Sequence, residues 1–255
     1  MNNTQKAILY VTAIILSILI FIIFGKSFRF ERGKEKPTTT VDKVLIDELY
    51  TYIPDSNDYK MDGIYSKYSS IYNINISVVE QMIINYLNNN SKDKLQSITD
   101  TDLFNIGVDV TYIKPLYKIS NKDLTYGLER VFGNNTNNIN FRDAYIDKNT
   151  RTKYFDNNLY VYNYEPELTD DSVVFRKYNK YTISNDKTIK IYDYYLKCDK
   201  STNICYNDDR ETIVNNLVTY SDSFNIENYL DKLQQYEHTF KFANDSYYWD
   251  STKMI

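Results

Sequence analysis

The chain holds 255 residues, 42% hydrophobic and 16% aromatic, with 27 Tyr but only 6 Gly, 4 Pro, 2 Cys and one His. A composition this rich in rings buries enough apolar area to offset ordering entropy, which excludes collagen-like, disulfide-framework and disordered classes. The net charge of −4 argues against a nucleic-acid binder, which normally carries a basic excess over its phosphate-facing surface, so no nucleic-acid partner is expected.

After a short tail at 1–6, the run from Ala7 to Phe24 carries no charge. At about 1.5 Å per residue its eighteen residues reach roughly 27 Å, close to the ~30 Å hydrocarbon core of a bilayer. The reading is one N-terminal transmembrane helix over 7–25, with the lipid bilayer as its partner. A cleaved signal peptide has a shorter apolar core and a small-residue cleavage site, which Ile23-Phe24-Gly25-Lys26 does not supply. Residues 26–40 are charged and then Pro/Thr-rich, a juxtamembrane linker. Residues 41–255 read as a single α+β domain, mainly helical over 41–133 and mainly β over 134–255.

Val41, Val44, Leu45, Leu49 and Tyr52 recur at helical spacing, with Thr40 placed as N-cap and Pro54 beyond the end. A second helix follows Ser77-Val78-Val79-Glu80, an S-x-x-E capping-box pattern, and runs to Asn88-Asn89-Asn90. The stretch from Lys92 to Gly107 shows only scattered apolar residues. Val108 to Ile119 alternates as a strand interrupted at Pro115, and Ser120 caps a third helix that stops at Gly133.

Past Gly133 the apolar period changes from helical to two. Strands are predicted within 139–146, 151–156, 159–164, 173–184, 188–198, 236–242 and 246–252, separated by Asn/Asp/Lys turns and arranged as an antiparallel meander. One more helix is expected over Ile226 to Gln234. About three helices followed by a sheet is the α+β layout. In element order alone it is similar to membrane-anchored NTF2-like or cystatin-like modules, a resemblance that carries no functional residues over.

Orientation in the membrane rests on two opposed signals. Lys26, Arg29, Arg32, Lys34 and Lys36 on the C-terminal flank outnumber Lys6 and the amino terminus, which by the positive-inside rule places the domain in the cytoplasm. Cys198 and Cys205 bracket a polar sextet with Ser201-Thr202 at its centre, so a hairpin there sets the two cysteines opposite one another, within disulfide reach. Disulfides persist in oxidising compartments, and the charge rule is weak for long domains. The expectation is therefore an extracytoplasmic domain with a Cys198–Cys205 bridge.

Little in the sequence encodes chemistry. The single His238 alternates with Glu237 and Thr239 and reads as a strand residue on a partly solvated face, which leaves no base for a His-dependent nucleophile. The glycines stand apart, so no phosphate-cradling loop exists. Asp55 to Gly63 fails the calcium-loop pattern at Lys60, where the sixth-position Gly is required, and Asp170-Asp171 and Asp208-Asp209-Arg210-Glu211 read as solvated turns. No catalytic, metal or cofactor residues are assigned. The tyrosines stand out: Tyr160, Tyr162 and Tyr164 share one strand face, Tyr192 and Tyr194 share another with Leu196, and Tyr247 and Tyr248 adjoin Trp249. Tyr offers an apolar ring with a polar tip, suited to protein or glycan surfaces. Tyr160, Tyr162, Tyr164, Tyr192, Tyr194 and Trp249 form the candidate binding surface.

The functional expectation is a single-pass, extracytoplasmic binding or scaffolding module of the bacterial cell envelope, with a protein or cell-wall glycan partner. The alternatives are an envelope enzyme, such as a wall hydrolase or a cone-cavity isomerase, and an assembly subunit of a secretion or conjugation complex. An enzyme predicts a deep pocket with two convergent carboxylates or a Tyr-Asp pair; a scaffold predicts a flat, exposed aromatic patch.

Overall fold

The period-two segments settle into two antiparallel sheets, not one meander. The structure is a computed structural model that describes residues 43–54, 64–134, 136, 139–141, 143–146, 149–164, 172–206, 221 and 223–255. All of these belong to the second of the two units into which the chain divides, Lys43–Ile255. The expected span at 7–25, the linker at 26–40, the loop at 55–63 and the acidic turns at 170–171 and 208–211 lie outside the described residues. Among those described, no helix is long and apolar enough to cross a membrane.

In chain order the elements are α1 (Lys43–Tyr52), β1 (Tyr68–Ser70), α2 (Ile76–Asn90), α3 (Asp100–Ile106), β2 (Ile113–Ser120), α4 (Asn121–Phe132), β3 (Ala144–Tyr145), β4 (Thr150–Phe155), β5 (Asn158–Tyr164), β6 (Ser172–Ile183), β7 (Ile189–Asp199), β8 (Ile204–Tyr206), β9 (Gln235–Ala243) and β10 (Ser246–Met254). The fold is thus α+β. The larger sheet runs β1-β10-β9-β7-β6, with β8 also paired to β7. The smaller one runs β2-β5-β4-β3. A bulge between Pro115 and Tyr117 absorbs the missing amide of Pro115 in β2.

Turn chemistry sets the hairpins. Asp156-Asn157 and Asn244-Asp245 both take positive φ, the backbone that closes a tight two-residue hairpin and that Asn and Asp tolerate best. The helices end where side chains satisfy their free amides. Ser120 accepts from Asp123 N at the start of α4, and the Gly133 amide closes its end on Glu129 O. In α2 the cap is Asn75, two residues before the expected Ser77, and Glu80 is not a capping residue: it is fully buried and accepts the Thr152 hydroxyl of β4.

Helices α1, α2 and α4 pack on one another, α1 and α4 against the larger sheet and α2 and α4 against the smaller one. On one side Tyr52 meets Phe240 and Phe132 meets Trp249; on the other, Glu80 reaches β4. Gly127 lets α4 close on α2, since a Cβ there would stand 2.7 Å from Ile83 Cγ2. The central strands supply Leu159, Val161, Ile189 and Ile191, all fully buried, each worth about 1.5–3 kcal/mol of apolar transfer.

Three elements depart from the sequence reading. Helix α3 was not anticipated; Thr99 and Asp102 form a reciprocal capping box at its start, and Gly107 closes it in the left-handed region. Strand β1 was not anticipated either. The helix expected over 226–234 is only a 3-10 turn, Ile226–Tyr229, because Ile226 and Leu233, with Tyr229 and Leu230 beside them, pack down onto Leu196 and the cysteines instead of forming a stripe.

Candidate functional site

The disulfide expected from spacing is present. Cys198 and Cys205 are direct partners across β7 and β8, with Cα atoms 3.9 Å apart and both side chains fully buried. The connecting turn is fixed by Asp199, whose Oδ1 accepts from Ser201 N at 2.8 Å, Ser201 Oγ at 2.6 Å and Thr202 N at 3.2 Å. Around the bridge pack Leu196, Ile226 and Leu233, flanked by Val173, Phe175, Phe224 and Tyr229.

The six candidate surface residues separate into three environments. Trp249 is a core residue: it is almost fully buried and edge-on to Phe132, so it belongs to no surface. Tyr160 and Tyr162 share their face of β5 as expected, but Leu103 and Ile106 of α3 cover them, and both are buried. Tyr164, half-buried beside them, lies 3.9 Å from the Arg151 guanidinium, with Tyr145 at 4.3 Å from the same group. Tyr192 and Tyr194 share the outward face of the larger sheet and are half-buried, but Tyr194 packs there against the disulfide cluster.

Across that outward face the strand register places a row Tyr68, Lys253, Glu237, Tyr192, Lys180, one residue from each of β1, β10, β9, β7 and β6. Beside it runs a second row, Ser70, Ser251, Thr239, Lys190, Thr182. The Glu237 carboxylate gathers the first row. Lys190 Nζ and Lys253 Nζ both lie 3.1 Å from its Oε1, and Tyr192 OH donates to Oε2 at 2.9 Å. Partial burial would raise the Glu237 pKa, but the two ammoniums and the phenol outweigh it and hold the carboxyl below its usual range. Lys180 lies 5.2 Å from the centre of the Tyr192 ring.

The inward face of the same strands holds different chemistry. His238 is not on a solvated face: β9 turns Glu237 and Thr239 outward and His238 inward, where it is fully buried with Tyr236 and Phe240. Its Nε2 lies 2.9 Å from Asp193 Oδ1 and its Nδ1 2.7 Å from Thr252 Oγ1, while Trp249 Nε1 donates to Thr252 Oγ1 at 3.1 Å. Because indole N–H only donates, a consistent assignment runs Trp249 to Thr252, Thr252 to His238 Nδ1 and His238 Nε2–H to Asp193. Asp193 Oδ2 accepts from Tyr65 OH at 2.7 Å and Tyr50 OH at 2.9 Å, with Arg176 Nε at 3.5 Å. Burial alone would raise the Asp193 pKa; His238, the Arg176 guanidinium and the Tyr65 hydroxyl outweigh it and hold the carboxyl low. Burial, reinforced by the adjacent Asp193, raises the Tyr65 phenol well above its ordinary value despite the opposing Arg176 charge.

Thr252, His238 and Asp193 therefore repeat the hydroxyl-imidazole-carboxylate order of a nucleophilic triad, and Tyr65 with Asp193 is the Tyr-Asp pair expected of an enzyme. All three members of that order are without solvent exposure, and the indole of Trp249 occupies the approach to Thr252 Oγ1. A nucleophile must meet a reacting atom at about 3 Å, so this network is a core element and not a reaction centre.

Open depressions occur elsewhere. One of ≈ 420 Å³ lies between α4 and the β9–β10 turn, lined by Tyr126, Arg130, Asn134, Asn244 and Tyr248, and another of ≈ 340 Å³ adjoins it at Arg130 and Ser246. Within them Tyr126 OH is 3.2 Å from Tyr86 OH, and Glu48 is already engaged by Tyr52 OH at 2.9 Å. Among the described residues no three His, Cys, Asp or Glu side chains converge as a metal site. No family model, curated protein or solved structure matches the chain.

Proposed function

We propose that the chain is a single-pass module of the bacterial cell envelope, held in the membrane by 7–25, whose domain binds or scaffolds a partner outside the cytoplasm. The observation that carries this reading is the Cys198–Cys205 disulfide. A bond of this kind persists where the surroundings are oxidising, and the uncharged eighteen-residue run supplies the anchor. The basic flank after the run argues for the opposite orientation, but its influence is weak when a domain of this length is translocated.

Binding is favoured over catalysis because the one hydroxyl-imidazole-carboxylate arrangement is sealed. What faces solvent on the larger sheet, beside the segment that packs over its disulfide end, is a set of Tyr, Lys and Thr side chains, the kind of surface that grips a partner without transforming it. A subunit role in a larger envelope assembly is one form of the same reading. The test is protease added to intact cells, followed by an alkaline wash of their membranes. The reading expects the domain to be digested while cytoplasmic proteins survive, and an N-terminal fragment to stay in the membrane pellet. A domain protected until the cells are lysed, or a chain released by the wash, contradicts it.

A further inference from the structure

We infer that the outward face of the larger sheet takes a phosphodiester-bearing polymer of the envelope, laid across the strands along the row Tyr68, Lys253, Glu237, Tyr192, Lys180. This inference rests on the module reading above and specifies its partner.

Charge comes first. The chain as a whole carries −4, yet the two rows of this face hold Lys180, Lys190 and Lys253 against Glu237 alone. Lys190 and Lys253 converge on the same carboxylate oxygen, so their ammoniums lie roughly 6 Å apart or closer. Even with Asp186 of the β6–β7 turn acting on Lys190, the three ammoniums outnumber the carboxylates that face them. An anion laid over them relieves their mutual repulsion and uses the N–H donors that Glu237 leaves free.

The donor types favour phosphate over carboxylate. Planar carboxylates are matched by the fork of arginine, whereas these rows offer lysine point charges and the hydroxyls of Thr182 and Thr239, those of Ser70 and Ser251 being buried and engaged by Asn73 and Asp250. The aromatic members suit the carbon backbone of such a polymer. Tyr68 is 54% exposed at one end of the row, and the Tyr192 ring lies in its middle under Lys180. With strands about 4.8 Å apart, the row from β1 to β6 is roughly 19 Å long, room for several repeats of a chain and far more than one small anion needs.

A polymer is favoured over an anionic bilayer by the same features. The two rows carry no aliphatic side chain to insert among acyl groups. The rest of the molecule is net acidic and resists approach to a wide anionic plane, whereas a single chain contacts only the basic rows.

The test uses the full-length chain in neutral detergent micelles, titrated calorimetrically with linear inorganic polyphosphate over a series of salt concentrations. The expected result is binding that weakens steeply with salt. The combined Lys180→Gln, Lys190→Gln and Lys253→Gln variant should lose at least tenfold in affinity, and its log-log salt slope should be shallower by roughly 2. Lys180→Gln alone removes no ion pair of Glu237 and keeps the test valid should the triple variant fold poorly; it should bind several-fold more weakly. Lys122→Gln, on the exposed side of α4, should bind as the parent does. Equal binding by parent and triple variant, equal loss in Lys122→Gln, or equal affinity for phosphatidylglycerol vesicles would each overturn the inference. A parent chain that ignores polyphosphate but binds a neutral glycan or a protein through Tyr192 overturns this inference and leaves the module reading standing. A cytoplasmic domain overturns the module reading itself.

Discussion

Two carboxylates sit back to back on the larger sheet, Asp193 facing inward and Glu237 facing outward, and each is gripped by at least three donors. Their partners differ in kind. Asp193 is held by rings and a guanidinium: His238, Tyr50, Tyr65 and Arg176, the last also bonded to Ile53 O at 2.9 Å and lying over the Tyr50 ring. Glu237 is held mainly by two lysines whose side chains remain 37% and 46% exposed. Rigid partners in a sealed place fix the fold and admit nothing else. Flexible ammoniums at a wet surface hold one carboxylate at little cost and can turn to another anion. The richest chemistry in the molecule is therefore structural, and the plainer surface cluster is the one with room for a partner.

The strongest way to break this contrast is to remove the inner carboxylate. Asp193→Ala leaves the Arg176 guanidinium and several hydroxyls buried around a missing anion, and should cost about 3–5 kcal/mol of stability in urea unfolding. A loss below about 1 kcal/mol would mean that the network does not hold the core. Reducing the Cys198–Cys205 bond, which closes a short hairpin, should cost about 2–3 kcal/mol, seen as a lower urea midpoint in reductant.

Acid gives a subtler separation. The folded Asp193 has a lowered pKa, so its contribution is complete above the unfolded value of about 3.9 and is lost as pH falls through the folded value. Unfolding midpoints should therefore drop in acid below about pH 4, and Asp193→Asn should flatten that drop. Glu237 has the same sign, but its exposed partners make its share smaller. The smallest effect is expected from Glu237→Gln, a change of less than about 1 kcal/mol in stability. If Glu237→Gln destabilises as much as Asp193→Ala, the outward cluster is also a fold element and the contrast collapses.

The sequence makes some of this arrangement readable and hides the rest for physical reasons. Helices α1, α2 and α4 and strands β4 to β7, β9 and β10 follow from periodicity and turn residues. The disulfide follows from hairpin register, a local relation. Alternation along β9 separates His238 from Glu237 and Thr239, but parity alone does not say which set faces the core; that depends on α1 and the Tyr65 segment packing on one side. The shared face of Tyr160 and Tyr162 was legible, whereas its cover was not, because α3 is a seven-residue helix signalled only by the Thr99/Asp102 pair. The division into two sheets is set by distant partners, β2 with β5 and β1 with β10, which no local pattern reveals.

The compartment of the domain underlies both functional readings, and the redox state of Cys198 and Cys205 in living cells reports it most directly. Living cells are quenched in acid and the chain is denatured, so that the buried Cys198 and Cys205 become accessible, and free thiols are alkylated before and after reduction. The account predicts no labelling of either residue at first and labelling of both once the bond has been reduced. Thiols that are already free when the cells are quenched would contradict it.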